Sequence, residues 1–305
     1  MRVTLLGPQR RPTLDSVTAS LGLDGPFATI TAGWQEREPG DRELSARLGG
    51  HDVNLSLYRR WLDVQERDPD FAAADRRLRG VLAEMQDIYL LRLDYALRAV
   101  YAVRRRNGDD QLRAGAMAEA IAAVRELDAA HLHRVSEASG EFYQVWQPHG
   151  RPVIAGHRDE VSRLVGGTAA LVLAGGHVGV LADVLHLFNV AAVIRSPVIA
   201  WSAGAMALTD RIVLFHDRAP YGPGHPEVYG SGLSVLRNLV LLPHARARLL
   251  LEDAPRMAVF ARRFAPARCI LLETGTRIDT DGDGSCPPDV RVLAEDGRVT
   301  SLEAA

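Results

Sequence analysis

The chain has 305 residues, of which 47% are apolar, and a formal net charge of −2. That length and composition suffice for one large α/β unit or two small ones with a sizeable core. The near-neutral balance excludes the basic footprint of a nucleic-acid binder. Every basic residue is arginine, so lysine-dependent chemistry, from Schiff bases to Ser-Lys dyads, is excluded as well. The two cysteines, Cys269 and Cys286, form neither a disulfide framework nor a metal-ligand cluster, and no cofactor or metal is expected. No N-terminal stretch has the basic, apolar and small-residue order of a signal peptide, and no apolar run reaches transmembrane length. The expectation is a soluble cytoplasmic protein with no membrane partner.

Arg2 to Gly7 reads as a buried strand, Pro12 to Leu23 as a helix with Leu14, Val17, Leu21 and Leu23 near one face, and Phe27 to Ala32 as a second strand. A short helix over Asp41 to Leu48, closed by Gly49-Gly50, and a strand over Val53 to Tyr58 complete a βαβαβ pattern, which predicts a doubly wound, mostly parallel sheet. The rhythm then changes. From about Asp68 to Gln147 the chain is rich in Ala, Leu, Arg and Glu and lacks any strand signal. Two helical stretches are predicted there, divided by a turn at Asn107-Gly108-Asp109-Asp110 with a capping acid, the second broken near Gly140. Residues 68–147 thus read as a long helical hairpin inserted into a single α/β domain spanning 1–305. Its apolar stripes are expected to pack on each other and on the sheet, with a homodimer interface or a lid over the site as the alternatives.

The α/β pattern resumes at Pro148, with helices over His157 to Leu164 and Gly179 to Phe188 and strands over Ala169 to Leu173, Val193 to Ala200 and Arg211 to Phe215. Asp217 to Gly232, rich in Pro and Gly, reads as a loop. A strand over Leu239 to Leu242, helix over Ala245 to Phe264, strand over Cys269 to Leu272, and a hairpin of Val290 to Leu293 with Val299 to Leu302 finish the chain.

The chemistry centres on Val198 to Met206, where an apolar strand breaks at Ser202 into Ala203, Gly204 and Ala205 before a helix. A serine on a sharp strand-to-helix turn is a nucleophile elbow: the turn lifts the hydroxyl above the sheet, and small residues keep the crossing backbone clear. Ser202, His244 and Glu273 each follow the C-terminal end of a predicted strand, where catalytic groups collect in open α/β sheets. They supply a hydroxyl, a base and an acid to orient that base. Gly175-Gly176 after a buried strand brings backbone N–H groups close, so that Gly176, His177 and Ala203 are candidates for an oxyanion hole. His177, Trp201 and Thr274 are the candidates for substrate contact.

These segments resemble the peptidase S51 family, which includes aspartyl dipeptidase and cyanophycinase. Ala200-Trp201-Ser202-Ala203-Gly204-Ala205 is similar to its xxSAGA elbow, and Leu173-Ala174-Gly175-Gly176 to its oxyanion segment. Gly232 to His244 is similar to the stretch carrying its histidine, and Ile270 to Thr274 to the strand ending in its glutamate. The order Ser, His, Glu is the family's own. The resemblance covers 150–305 well, 1–58 weakly and the helical segment not at all. It implies a class I glutamine amidotransferase-like fold, a Ser202–His244–Glu273 triad, and cleavage of a small peptide through an acyl-enzyme. It does not carry over the family's specificity residues: His177-Val178, Leu242-Pro243 and Thr274 stand where the family has other polar groups.

Two other readings fit parts of the sequence. A binding or scaffold protein would keep the elbow but work through the helical hairpin. An α/β-hydrolase esterase would need Asp217 or Glu227 as its acid. Asp279 to Gly284 imitates the start of a calcium loop, but Val290 occupies the twelfth position, so a solvated turn is expected.

Overall fold

The computed structural model describes the chain except for Arg11, 219–223, Asp283 and Ala305. Its first half runs β1 (Arg2–Leu6), α1 (Leu14–Ser20), β2 (Phe27–Ile30), α2 (Arg42–Arg47), β3 (Asp52–Asn54), α3 (Leu57–Arg67), α4 (Pro69–Arg105) and α5 (Asp110–Trp146). The chain continues through α6 (Pro152–Gly166), β4 (Ala170–Leu173), α7 (Val178–Leu187), β5 (Val198–Trp201), α8 (Ala203–Ala207), β6 (Ile212–Leu214) and β7 (Glu227–Gly230). It ends with β8 (Leu239–Pro243), α9 (Ala245–Arg248), α10 (Ala254–Phe264), β9 (Arg268–Leu272), β10 (Arg277–Asp281), β11 (Arg291–Leu293) and β12 (Val299–Ser301).

The fold is mixed α/β around a largely parallel sheet of order β10-β1-β5-β4-β2-β3, in which β10 alone runs antiparallel. Its inner strands are apolar on both faces because both faces are covered. Leu5, Ala28, Leu171 and Ala200 join the core built with α3 to α7, whereas Leu6, Phe27, Val172, Ile199 and Trp201 pack with Leu14 and Val17 of α1 and Leu44 of α2.

The strands β8 and β9 do not belong to that sheet. They pair in parallel in a second sheet of order β12-β11-β9-β8, with Pro243 opposite Leu272. The turn from β9 of this sheet to β10 of the first passes the end of β1, where the Gly7 N–H donates to Thr276 O at 2.8 Å. A Cβ on Gly7 would lie 1.7 Å from Glu273 O, so this approach requires glycine.

Several local expectations are corrected. The chain leaves the sheet after Asn54, and Leu57, Tyr58 and Val64 form the buried face of α3, a helix missing from the expected pattern. Helix α5 runs unbroken through Gly140. The segment read as one helix around Pro255 is two, α9 and α10. The expected loop from Asp217 contains β7, which pairs antiparallel with β6; part of that loop lies outside the described residues. The calcium-like acids begin in β10, paired with β1, and Asp279 accepts from Thr4 Oγ1 at 2.6 Å and Arg277 Nε at 3.0 Å. Asp283 lies outside the described residues.

The helices α4 and α5 form the long hairpin, each 37 residues. Asp68 and Asp109 cap them by accepting from the Phe71 and Leu112 amides. A buried polar cluster ties the hairpin to the α/β body. Arg263 of α10 grips Asp128 of α5 through Nε–Oδ2 at 2.6 Å and Nη2–Oδ1 at 2.7 Å, and Tyr89 Oη of α4 donates to Asp128 Oδ1 at 2.8 Å. Tyr89 Oη also accepts from the Val228 amide of β7 at 3.1 Å. No helix among the described residues is long and apolar enough to cross a membrane.

Candidate functional site

Ser202 ends the buried strand β5 with φ 49° and ψ −121°, a left-handed-side conformation that costs energy for a residue with a side chain. The neighbours make the turn feasible. A Cβ on Gly204 would lie 2.5 Å from Leu173 O and 2.7 Å from Ala174 O, because α8 crosses the end of β4 at backbone contact. A Cβ on Gly175 would lie 2.9 Å from Ser202 Cβ. Gly176, at φ +127°, is pinched against Gly33, whose carbonyl oxygen a Cβ would meet at 2.3 Å. Ser202 is therefore held between two short, closely packed turns.

Ser202, Gly175, Gly176, Ala203 and His244 all border one cavity of about 360 Å³. Trp201, Trp34 and Met206 contribute apolar wall, and Arg10 and Arg248 contribute cations. His244 follows β8 in a left-handed conformation, φ 57°, and its carbonyl accepts from the Ala247 and Arg248 amides, which starts α9. Burial, then the nearby cation of Arg248, lowers the His244 pKa from its ordinary value; Glu273 opposes this, and Arg10 adds to it. Arg248, one helical turn after His244, has its guanidinium carbon 5.9 Å from the Phe215 ring centroid.

Among the described residues no hydrogen bond joins Ser202 Oγ to the His244 ring, and none joins that ring to Glu273. The Glu273 carboxylate instead accepts from the Arg246 amide at 2.7 Å, across the first turn of α9. Its backbone is fixed by a tight turn in which Thr276 N donates to Glu273 O at 2.9 Å.

The other expected contacts divide. Ala203 opens α8, so its N–H has no partner within the helix, and the Gly176 N–H takes no backbone acceptor among the described residues. His177 is a correction to the oxyanion set: its N–H already donates to Gly33 O at 2.7 Å. Its ring caps α7, with Nδ1 accepting from Val180 N at 3.2 Å, and it lies outside the cavity lining. Trp201 is buried and borders the cavity, while Thr274 is exposed beyond it. The acids of the esterase alternative are elsewhere engaged. Asp217 is buried, with both oxygens on Arg256, at 2.6 and 3.2 Å, and Oδ2 also on the Leu250 amide. Glu227 sits in β7, its carboxyl pushed up by burial.

The sequence reading missed Trp34, Arg10 and Arg248. The signals were present: Gly33-Trp34 follows the C-terminal end of β2, the same edge that carries Ser202, and Arg248 is spaced at i+4 from His244 on a helix.

No family model matches the chain, and no curated protein matches it. A solved structure of a peptidase from an acI-B1 Actinobacterium matches with a TM-score of 0.43 at 14% identity, over 96% of this chain and 87% of that one. Likeness at that level carries no argument about this chain's activity.

Proposed function

We propose that the chain is a serine hydrolase of the peptidase S51 type, cleaving a peptide or isopeptide bond of a small peptide through an acyl-enzyme on Ser202. In this reading it has the class I glutamine amidotransferase-like fold, with residues 68–147 inserted into one α/β domain. The observation that carries the proposal is the strained Ser202 backbone at the β5–α8 turn, on a cavity shared with His244. Backbone strain at a serine held by close backbone contacts is a feature of nucleophile elbows.

His244 takes the Ser202 hydroxyl proton as Oγ attacks the substrate carbonyl. The oxyanion of the tetrahedral intermediate is received by the N–H groups of Gly176 and Ala203. Collapse forms the serine ester and breaks the C–N bond, with His244 returning the proton to the departing amine. A water deprotonated by His244 then attacks the ester carbonyl, forming the carboxylic product and restoring the Ser202 hydroxyl. Glu273 favours the histidine cation through its charge, and orienting the ring by a hydrogen bond requires its carboxylate to turn from the Arg246 amide toward it. The cavity volume falls within the range of small-molecule sites, and Arg10 and Arg248 suit a peptide that presents a free carboxylate.

Treatment with a fluorophosphonate tests the reading. Intact mass should show one adduct, absent from Ser202→Ala; labelling that survives this substitution overturns it. A second reading, a binding protein that has kept the elbow, draws on the separation of the Ser202, His244 and Glu273 side chains. It predicts no adduct.

A further inference from the structure

The outer face of α4 carries large apolar side chains that stand exposed among the described residues. Val81 is 46% exposed, Ile88 53%, Leu91 61% and Tyr95 66%. At 100° per residue, Val81, Ile88 and Tyr95 lie within a narrow stripe, with Leu91 along one margin. The opposite face of the same helix buries Tyr89, Leu93, Leu97 and Val100 against the rest of the molecule. An apolar stripe on a fully formed, well-anchored helix points to a partner.

The charges beside the stripe say which partner. Two acid–arginine pairs on α4 are formed within the helix, Asp75 with Arg79 and Asp94 with Arg98, each at 2.9 Å. Glu84 and Arg92 border the stripe and take part in no ion pair among the described residues. They stand equally far before and after Ile88, as do Val81 and Tyr95, and Met85 and Leu91. The surface is thus self-complementary under a two-fold axis through Ile88. An antiparallel copy would set Val81 against Tyr95, Glu84 against Arg92 and Ile88 against itself, each polar pair occurring twice. A parallel copy would set Glu84 against Glu84 and Arg92 against Arg92, which like-charge repulsion disfavours.

We propose that this chain forms a two-fold symmetric homodimer through the outer face of α4, in antiparallel register centred on Ile88. From Arg77 to Ala99 the paired segment would be about 33 Å long at 1.5 Å per residue, enough for several helical turns from each copy. This uses a surface unrelated to the proposed catalytic cavity and does not depend on that activity.

Light scattering on the full chain across a concentration series should give twice the monomer mass. Ile88→Cys, in a Cys286→Ser background, should form a disulfide-linked dimer on mild oxidation, because the axis brings the two positions together. Glu84→Arg and Arg92→Glu should each weaken dimerisation by about tenfold or more, since two attractive contacts become repulsive. An equimolar mixture of those two variants should recover it, because both interhelical pairs are then opposite in sign. A monomer at every concentration overturns the proposal. So does a dimer indifferent to both charge reversals, or one in which Ile88→Cys fails to crosslink.

Discussion

Glu273 and His244 end neighbouring parallel strands, with Pro243 opposite Leu272, yet the Glu273 carboxylate holds the Arg246 amide at 2.7 Å and not the His244 ring. The acid is thus held by the amide two residues after the base it would orient. Its charge still favours the protonated ring, so it already acts on His244 through space. Glu273→Gln keeps the size and the Arg246 contact but removes the charge. Turnover on a substrate found by screening dipeptides should fall on the order of 10⁴-fold with KM little changed, as expected when a base loses its orienting acid. Asp217→Asn should leave kcat near normal and lower stability instead, because it leaves the buried Arg256 contact weakened. Near-normal turnover in Glu273→Gln would remove it from the proposed triad.

The parts of the site fixed by local sequence were legible; the parts fixed by pairing were not. Val198 to Trp201 is uniformly apolar because it is covered on both faces, and the break at Ser202 followed by Ala203 and Gly204 records the close crossing over β4. The placement of His244 and Glu273 in a separate sheet depends on which strands pair, which short apolar runs do not record. Glu227 to Gly230 alternates in burial over only four residues inside a Pro/Gly-rich stretch, so its strand character comes from β6. Likewise Arg277 to Asp281 alternates in burial, but its acids read as a turn because the contacts of Asp279 with Thr4 and Arg277 are not recorded in the local sequence. Leu57 and Tyr58, the end of the expected strand, instead open α3, where their apolar side chains are buried.

The elbow's packing gives a sharp contrast between two glycines. In Gly204→Ala the new methyl would meet two backbone carbonyls at 2.5 and 2.7 Å. Backbone cannot yield as a side-chain tip does, so stability should fall by about 1–3 kcal/mol, and displacement of Ser202 should suppress fluorophosphonate labelling. In Gly140→Ala nothing lies within 4 Å and the site is mid-helix, so stability should rise by up to about 1 kcal/mol. Thermal unfolding of both variants checks this. A Gly204→Ala protein that is as stable and as readily labelled as wild type would mean the crossing is looser than described.

His131 makes the hairpin sensitive to acid. It is buried, stacked on Tyr89 at 4.0 Å between centroids, and bonded through Nε2 to Gln86 Oε1 at 2.8 Å. Burial, then the Arg134 cation, pushes its pKa down from 6.5 to about 4. The unfolded chain therefore binds a proton that the folded one does not between those two values. Stability from this group is fully present above pH 6.5 and is lost as pH falls toward 4, by at most about 1.4 kcal/mol per pH unit. His131→Phe keeps the stack and removes the titration. Urea unfolding at several pH values should show a shallower loss below pH 6.5 in this variant than in the wild type. Equal slopes would show that His131 does not titrate between the folded and unfolded states in that window.

Arg248 tests whether His244 is the working base. Its cation is the largest charge effect on that ring after burial, and it disfavours the protonated form. The rate at which a fluorophosphonate modifies Ser202 depends on neutral His244, so the acid limb of its pH profile reports the His244 pKa without any need for a known substrate. Arg248→Gln removes a positive charge, which should raise that pKa and move the acid limb to higher pH. Arg10→Gln should move it the same way by less, since Arg10 is the smallest of the contributions. Glu273→Gln should move it the other way, because the negative charge that favours the cation is lost. Three substitutions at three positions around one imidazole thus give shifts of predicted sign and order. If the limb stays fixed in Arg248→Gln, or moves to lower pH, the group that activates Ser202 is not His244.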